Sequence, residues 1–130
     1  MIQLQIITPQ GLYLKTEVES VHVTTIEGET TILSNHMPIV AMLKVAPCII
    51  TRNKEKENYA IGEGLLQMKN NRMNILTDTI ESQQEIDENR AQEAKQRAME
   101  RLAKISPDTD VERAQLALSK ALNRIKVKHF

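Results

Sequence analysis

The chain has 130 residues, a length that allows one ordinary domain or a small domain with an appendage. Its 17 Lys and Arg balance 17 Asp and Glu, which argues against a general nucleic-acid-binding surface, because that surface needs a basic excess. Aromatic residues make up 2%, too few for a site built on stacked rings, whereas a hydrophobic share of 41% is enough for a core. The single cysteine, Cys48, excludes an internal disulfide and a thiolate-rich zinc site.

The composition also bears on where the protein is expected in the cell. No apolar run approaches the roughly 20 residues of a membrane span. The first five residues lack the basic start and the long apolar stretch of a signal peptide. We therefore expect a cytosolic protein, or one attached peripherally to the cytosolic side of a larger assembly.

Glycine and proline divide the chain into two parts. All four glycines and three of the four prolines lie before residue 65, and only Pro107 follows. Because these residues punctuate strands and turns, their absence permits long helices. The division predicts a β domain over residues 1–82 and a helical domain over residues 83–130.

Short apolar stretches with alternating or β-branched residues predict strands in the first part. In chain order these stretches are Ile2–Ile6, Val18–Val23, Thr30–Leu33, Val45–Thr51, Tyr59–Ile61, Leu65–Met68 and Met73–Leu76. Charged or Asn-rich turns are predicted at residues 52–56 and 69–72. Many short strands at close spacing are typical of an antiparallel β-sandwich or barrel. Gly62-Glu63-Gly64 lacks the spacing of a phosphate loop and is interpreted as a kinked strand junction.

Apolar residues recur at helical spacing twice in the second part. They are Ala91, Ala94, Ala98, Leu102 and Ile105, then Val111, Ala114, Leu118, Ala121 and Ile125. Pro107 separates the two stripes and predicts a tight turn between antiparallel helices. The whole chain is therefore predicted to be an α+β protein, a β-sandwich or barrel followed by a two-helix hairpin. Alanine buries little apolar area, so the hairpin needs support from the β domain, a ligand or a partner.

No residue pattern predicts catalysis. The three histidines are far apart and none has metal-ligand spacing, so no metal site is expected. Cys48 follows Pro47 in an apolar run and is expected to be a buried small hydrophobe. Neither a Ser-His-Asp arrangement nor a carboxylate pair stands out. The sequence predicts a protein that is not an enzyme.

Four cations of the helical part carry a binding hypothesis. Arg90 and Arg97 are seven residues apart on one helix face, and Lys120 and Arg124 are four apart on the other helix. In a closed hairpin the two pairs face one cleft and suit a polyphosphate. The alternative is a solvated helix face with ion pairs between neighbouring turns. The spacing alone leaves both open.

An ordered set of motifs over the whole chain resembles the epsilon subunit of F-type ATP synthases. In the β domain the set comprises Thr8-Pro9-x-Gly11, Val18-x-x-Val21, Glu27-Gly28-Glu29, Ile32-Leu33, His36-x-Pro38, Tyr59-Ala60-Ile61-x-x-Gly64-Leu65-Leu66 and Ile75-Leu76. In the helical domain it comprises Ile86-Asp87-x-x-Arg90-Ala91, Arg97-Ala98, Arg101-Leu102, Asp110-x-x-Arg113-Ala114 and Asn123-Arg124-Ile125-x-Val127. No single motif is decisive, but their order and spacing are specific.

The resemblance implies a non-catalytic central-stalk subunit of the rotor. It implies binding to the gamma subunit and the c-ring, with Glu29 and His36 at the c-ring interface. It further implies helices that fold on the sandwich or extend along gamma towards the catalytic alpha and beta subunits, where they inhibit ATP hydrolysis. The implied location is peripheral, on the cytoplasmic face of the cell membrane, with membrane association only through the complex. A stand-alone nucleotide-sensing module remains the alternative, and no nucleic-acid partner is expected.

The resemblance also implies ATP as a regulatory ligand of the folded hairpin, with no cofactor required. The matching positions are Glu81, Ile86, Asp87, Arg90, Ala91, Arg97, Lys120 and Arg124. Lys120 stands where ATP-binding relatives have arginine, and lysine neutralises phosphate without a bidentate grip. Thr31 and Asn35 replace two family glycines. Asn visits left-handed backbone conformations readily, whereas Thr31 implies a position without positive φ.

Overall fold

The fold is a strand-rich domain followed by two helices, as seen in a computed structural model that describes residues 1–130. The strands are β1 (Ile2–Thr8), β2 (Gly11–Val18), β3 (Ser20–Thr25), β4 (Gly28–Leu33), β5 (Ile39–Leu43), β6 (Ala46–Arg52), β7 (Glu55–Ile61), β8 (Gly64–Lys69), β9 (Arg72–Thr77) and β10 (Ile80–Ser82). The helices are α1 (Glu88–Ala103) and α2 (Val111–Lys128). The predicted fold class, a β-sandwich followed by a helical hairpin, is confirmed.

Hydrogen bonds link all ten strands into one sheet that folds over on itself. The strand order is β10-β7-β6-β3-β5-β8-β9-β1-β2, and β4 pairs with β3 beside this path. All pairs are antiparallel except β1 with β9, which run parallel. Alternate residues of the strands point into one core, so that Ile2, Leu4 and Ile6 are almost fully buried. A cluster of 16 buried residues fills the interior.

The sequence pattern missed three strands. β5 is five consecutive apolar residues without alternation, β10 has only three residues, and β2 is mostly polar on its exposed face. Each is defined by its neighbours: β5 lies between β3 and β8, and β10 pairs with the end of β7. Cross-strand pairing therefore decided elements that local periodicity did not predict.

Left-handed residues mark the tight turns of the sandwich. Asn70 and Asn71 both have positive φ between β8 and β9, as a two-residue hairpin of the I′ type requires. Asn35 has φ 64°, and its amide N–H donates to the side-chain oxygen of Asn71 over 2.6 Å. Thr31 lies in β4 with negative φ. Both backbone expectations for the residues that replace the family glycines are confirmed.

The hairpin is closed along an alanine seam. Ala91 and Ala98 of α1 and Ala114 and Ala121 of α2 are all buried, as the helical spacing predicts. The N-cap of each helix is an aspartate whose carboxylate accepts the amide N–H three residues on. The prediction was wrong at Ile105, which is exposed, because α1 already ends at Ala103. The connection between the helices spans residues 104–110 and is longer than the tight turn expected.

The hairpin leans on the sandwich through helix α2, which contacts β6 and β7. The apolar part of this contact is small: Ile86, Val127 and Ala60 form a separate buried cluster of three residues. Neither helix has the length and hydropathy needed to cross a lipid bilayer. Because the apolar contact between the hairpin and the sandwich is small, polar contacts must supply much of what keeps the hairpin docked.

One such contact joins β2 to the segment before α1. The Tyr13 hydroxyl donates to the Glu85 carboxylate, which also accepts the Ser82 amide N–H over 3.1 Å. The hydrogen bond from Tyr13 is the main cause that lowers the pKa of Glu85. The Tyr13 ring packs edge-on against Tyr59, with centroids 6.2 Å apart. The Tyr13–Glu85 hydrogen bond therefore ties the linker to the sandwich more strongly while Glu85 is ionised.

We expect Tyr13→Phe to lower the free energy of unfolding by about 1 kcal/mol at neutral pH, because a hydrogen bond to an exposed charged group is lost. A carboxyl whose folded pKa is depressed stabilises the fold above its unfolded pKa and loses this contribution as the pH falls through the folded value. The difference between variant and parent should therefore be full above about pH 5 and shrink below about pH 4. Denaturant unfolding at several pH values measures it.

A second background provides the control for this experiment. With Glu85→Gln already in place, Tyr13→Phe should lose its pH dependence, because the titrating partner is gone. A difference that is equally large at low and neutral pH would contradict the assignment to Glu85.

Candidate functional site

A polar cavity of about 520 Å³ lies between helix α1, the end of α2 and the strand β10. It is lined by Glu81, Glu85, Asp87, Arg90, Ala91, Glu93, Ala94, Arg97 and Arg124. Its volume falls in the usual range of small-molecule sites. The structure therefore brings six of the eight predicted ATP-binding residues together at one cavity.

Some of the charged side chains around this cavity already have a partner, and others form no ion pair. Arg124 is held by Glu81, with Nε and Oε1 2.6 Å apart. Arg90 and Arg97 project from the exposed face of α1 and form no ion pair. Asp87 is engaged as the N-cap of α1. Two guanidinium groups are thus available for an anion, and a third becomes available if Glu81 releases it.

Two predicted residues do not reach the cavity wall. Lys120 points to the sandwich instead, where its Nζ lies 2.8 Å from Asp78 Oδ2. Ile86 is 3% exposed and packs against Ala60 and Val127. Lys120 and Arg124 are each paired with a carboxylate of the β domain in the closed hairpin.

A second feature, an apolar row on the outer surface of the sheet, was not predicted. Five outward-facing side chains stand in register across β5, β8, β9, β1 and β2, each paired with the next. We call this set the outer row; its members are Met42, Leu65, Leu76, Ile7 and Leu12. Met42 and Leu12 are each 59% exposed and Leu76 is 40% exposed. A contiguous apolar strip of this kind on a sheet is typical of an interaction surface.

A bulge and a polar border shape the outer row. The register between β1 and β2 shifts between Ile6 and Ile7, so that Ile6 faces the core while Ile7 stands beside Leu12. Next to the row, the adjacent outward positions Gln67, Asn74 and Gln5 are polar and also in register. An apolar strip with a polar rim has the anatomy of a protein–protein interface.

A groove of about 870 Å³ lies beside the outer row. It runs along β5, β8 and β9 and includes Val40, which is 69% exposed. Ile26 extends the apolar area, since its amide N–H donates to the Met42 carbonyl over 3.0 Å. The polar border residues Gln67 and Asn74 lie between the outer row and this groove, whose apolar residues are Ile39, Val40 and Met68.

The two predicted c-ring residues lie at opposite ends of β4. Glu29, near the start of the strand, is 3.4 Å from His22 Nε2 through its Oε1. His36 follows the end of the strand, and its Nδ1 lies 2.7 Å from the carbonyl oxygen of Met37. No hydrogen bond or ion pair joins Glu29 to His36. Met37, beside His36, is 77% exposed and is an apolar neighbour that the sequence analysis did not single out.

Neither Cys48 nor the metal-ligating residue types form a candidate site. Cys48 is fully buried, as predicted, and burial raises the pKa of its thiol to about 12. No group of three or more His, Cys, Asp or Glu side chains is placed to hold a metal ion. The two features that stand out on the surface are a polar cavity with unpaired arginines and an exposed apolar strip.

This arrangement, a β-sandwich followed by a helical hairpin, defines the class of protein, and the comparisons with known proteins give the family. A family model described as "ATP synthase, Delta/Epsilon chain, beta-sandwich domain" matches residues 1–83. A second, described as "ATP synthase, Delta/Epsilon chain, long alpha-helix domain", matches residues 84–128. The chain belongs to the family of ATP synthase delta/epsilon chains.

Curated relatives match over nearly their whole length. The "ATP synthase epsilon chain" of Bacillus licheniformis is 39% identical over 126 residues, which cover 97% of this chain and 96% of the relative. That of Clostridium kluyveri is 44% identical over 128 residues, covering 98% and 96%. Family membership confirms the predicted function, a non-catalytic rotor subunit of the synthase and not an enzyme in its own right.

Solved structures share the fold at low sequence identity. A chain of the Euglena gracilis mitochondrial ATP synthase, described as "OSCP/F1/c-ring in rotational state 1", superposes with a TM-score of 0.85 at 20% identity. The match covers 99% of this chain and 81% of that chain. A chain of the Tetrahymena thermophila mitochondrial ATP synthase gives a TM-score of 0.65 at 13% identity, covering 98% and 96%.

Proposed function

We propose that the chain joins the gamma subunit and the c-ring in the central stalk, with the outer row as its gamma-binding surface. The observation that carries this proposal is the unbroken line of apolar side chains across five strands, which no other part of the chain covers. Burying such a strip against a partner yields roughly 25 cal/mol per Å². In the complex the chain lies peripherally on the cytoplasmic face of the cell membrane and touches the membrane only through its partners.

The c-ring contact falls on the two ends of β4. Glu29 offers a carboxylate beside the turn between β3 and β4, and His36 offers an imidazole next to the exposed Met37. Their separation fits a contact made along an edge of the sandwich. It leaves the outer row free for gamma.

The hairpin is the regulatory part of the proposal. Docked on the sandwich it forms the polar cavity, where Arg90, Arg97 and Arg124 bind the phosphates of ATP and the carboxylates accept hydrogen bonds from the ribose or the base. Extended, it reaches the alpha and beta subunits and restrains hydrolysis. The other candidate, a stand-alone nucleotide-sensing module, shares the cavity but does not need the outer row. No nucleic-acid partner or obligatory cofactor is proposed.

Placing a charge in the outer row should weaken gamma binding strongly. We expect Leu76→Glu, at the centre of the row, to reduce the affinity for purified gamma subunit by about thirtyfold, because a desolvated carboxylate at the middle of an apolar interface removes a hot spot. Binding is measured by titration of gamma with the labelled full chain. The melting temperature of the variant should stay near that of the parent, since Leu76 points away from the core.

A matched control is Leu33→Glu. Leu33 is 59% exposed, as Met42 is, but it lies on β4, outside the outer row. It should bind gamma as the parent does. If both variants weaken gamma binding equally, the outer row is not the specific gamma-binding surface. A parent chain that binds ATP but not gamma at micromolar concentrations would favour the stand-alone module.

A further inference from the structure

Two ion pairs join the docked hairpin to the sandwich. Lys120 and Arg124 lie one turn apart on α2. Lys120 reaches the turn between β9 and β10, and Arg124 reaches β10. Lys120 Nζ is 2.8 Å from Asp78 Oδ2, and Arg124 Nε is 2.6 Å from Glu81 Oε1. The four side chains are between 22% and 45% exposed, so they are only partly screened by solvent.

A neutral hydrogen bond lies between the two ion pairs. The side-chain amide of Asn123, which is 7% exposed, donates to the Ile61 carbonyl over 3.3 Å. The adjacent Gly62 keeps the space that Asp78 needs, because a Cβ there would lie 1.9 Å from Asp78 Oδ1. Three successive polar contacts therefore connect one face of α2 to the β7–β10 region.

Apolar burial adds little to this attachment. Only Ala60, Ile86 and Val127 are buried together between the sandwich and the hairpin. An interface with so few apolar groups depends on its ion pairs more than a protein core does, and ion pairs that remain partly exposed weaken with salt. Docking of the hairpin is therefore expected to depend on electrostatic contacts.

We propose that Asp78–Lys120 and Glu81–Arg124 form an ionic clasp that holds the hairpin on the sandwich, so that ionic strength sets how often the hairpin detaches. In the docked hairpin Lys120 serves this clasp and lies outside the polar cavity. The Asp78–Lys120 pair lies outside the polar cavity, so this half of the clasp acts whether or not ATP binds.

Hydrogen exchange of the full-length chain without nucleotide tests the clasp. We expect Asp78→Asn and Lys120→Met each to raise exchange of the α2 amides by about threefold at low salt, the effect of a partly exposed ion pair. The double variant should exchange no faster than either single variant, because the same interaction is lost. Raising the salt from about 0.1 M to about 1 M, which shortens the screening length from about 10 Å to about 3 Å, should bring parent and variants together.

A lysine of the same helix supplies the control. Lys126 is exposed on α2 and has no carboxylate partner, so Lys126→Met should exchange as the parent does at both salt concentrations. Amides of β1 and β9, in the core of the sandwich, serve as the internal reference. Exchange of α2 that is unchanged in both single variants, or that increases additively in the double variant, would overturn the proposal.

Discussion

Ending the chain after Ser82 is expected to leave a folded sandwich that still assembles into the synthase and to raise the ATPase activity of the assembled complex. The reason for folding is that all 16 residues of the main core belong to strands β1–β9. The hairpin adds only Ile86 and Val127 to a separate small cluster. The reason for the raised activity is that the truncated chain has no hairpin to extend towards the catalytic subunits.

The measurements separate folding from regulation. Circular dichroism and thermal melting of residues 1–82 should show strand content and one cooperative transition. Reconstituted complexes carrying the full or the truncated chain are then compared for ATP hydrolysis over a range of ATP concentrations. The effect should be largest at low ATP, where a nucleotide-free hairpin spends more time detached.

Two outcomes would count against this expectation. A truncated chain without strand signal would mean that the division at residue 82 does not mark an independent domain. Unchanged hydrolysis at every ATP concentration, with the truncated chain fully assembled, would mean that the hairpin supports the structure and does not inhibit. A clasp variant such as Lys120→Met should shift hydrolysis in the opposite direction, below that of the parent, since its hairpin is present, detaches more often and inhibits when extended.

The sequence predicted most of the fold because local signals agreed with tertiary contacts. Glycine and proline usage divided the chain near the observed end of β10 at Ser82, and alanine spacing predicted the buried seam of the hairpin. Strand β5 was not predicted, because its five consecutive apolar residues show no alternating pattern. Ile105 was assigned to a helix because its spacing fits, although α1 ends at Ala103, before Ser106 and Pro107.

The candidate sites were predicted less completely, for a different reason. Spacing on a helix shows that Lys120 and Arg124 share a face, but it does not show which carboxylate of a distant strand meets them. In the structure Lys120 pairs with Asp78 and Arg124 pairs with Glu81, so Lys120 does not line the cavity. The outer row depends on the register of five strands and on the bulge at Ile7. No single stretch of sequence contains that information.

The presence of ATP is expected to raise the melting temperature of the isolated full-length chain, and Arg90→Ala is expected to abolish the rise. Arg90 and Arg97 have no ion-pair partner in the cavity, so a polyphosphate gains charge-assisted hydrogen bonds from these two groups without breaking existing ones, whereas a bond from Arg124 requires its release by Glu81. A ligand at about 100 times its dissociation constant stabilises the state it binds by about 2.7 kcal/mol. For a chain of this size that corresponds to a shift on the order of 8 °C.

The measurement is thermal melting with magnesium-free ATP, followed by calorimetric titration of each variant. Magnesium is not expected to be required, because the carboxylates of the cavity include Glu81 and Asp87, which are already engaged with Arg124 and with the start of α1. Arg101→Ala is the matched control: it removes an exposed arginine from the same helix outside the cavity, and should keep the full shift. Lys120→Met should lower the affinity much less than Arg90→Ala, since it acts only through docking of the hairpin. If millimolar ATP produces neither heat nor a shift in the parent chain, the arginines are a solvated helix face, and regulation by the hairpin proceeds without nucleotide.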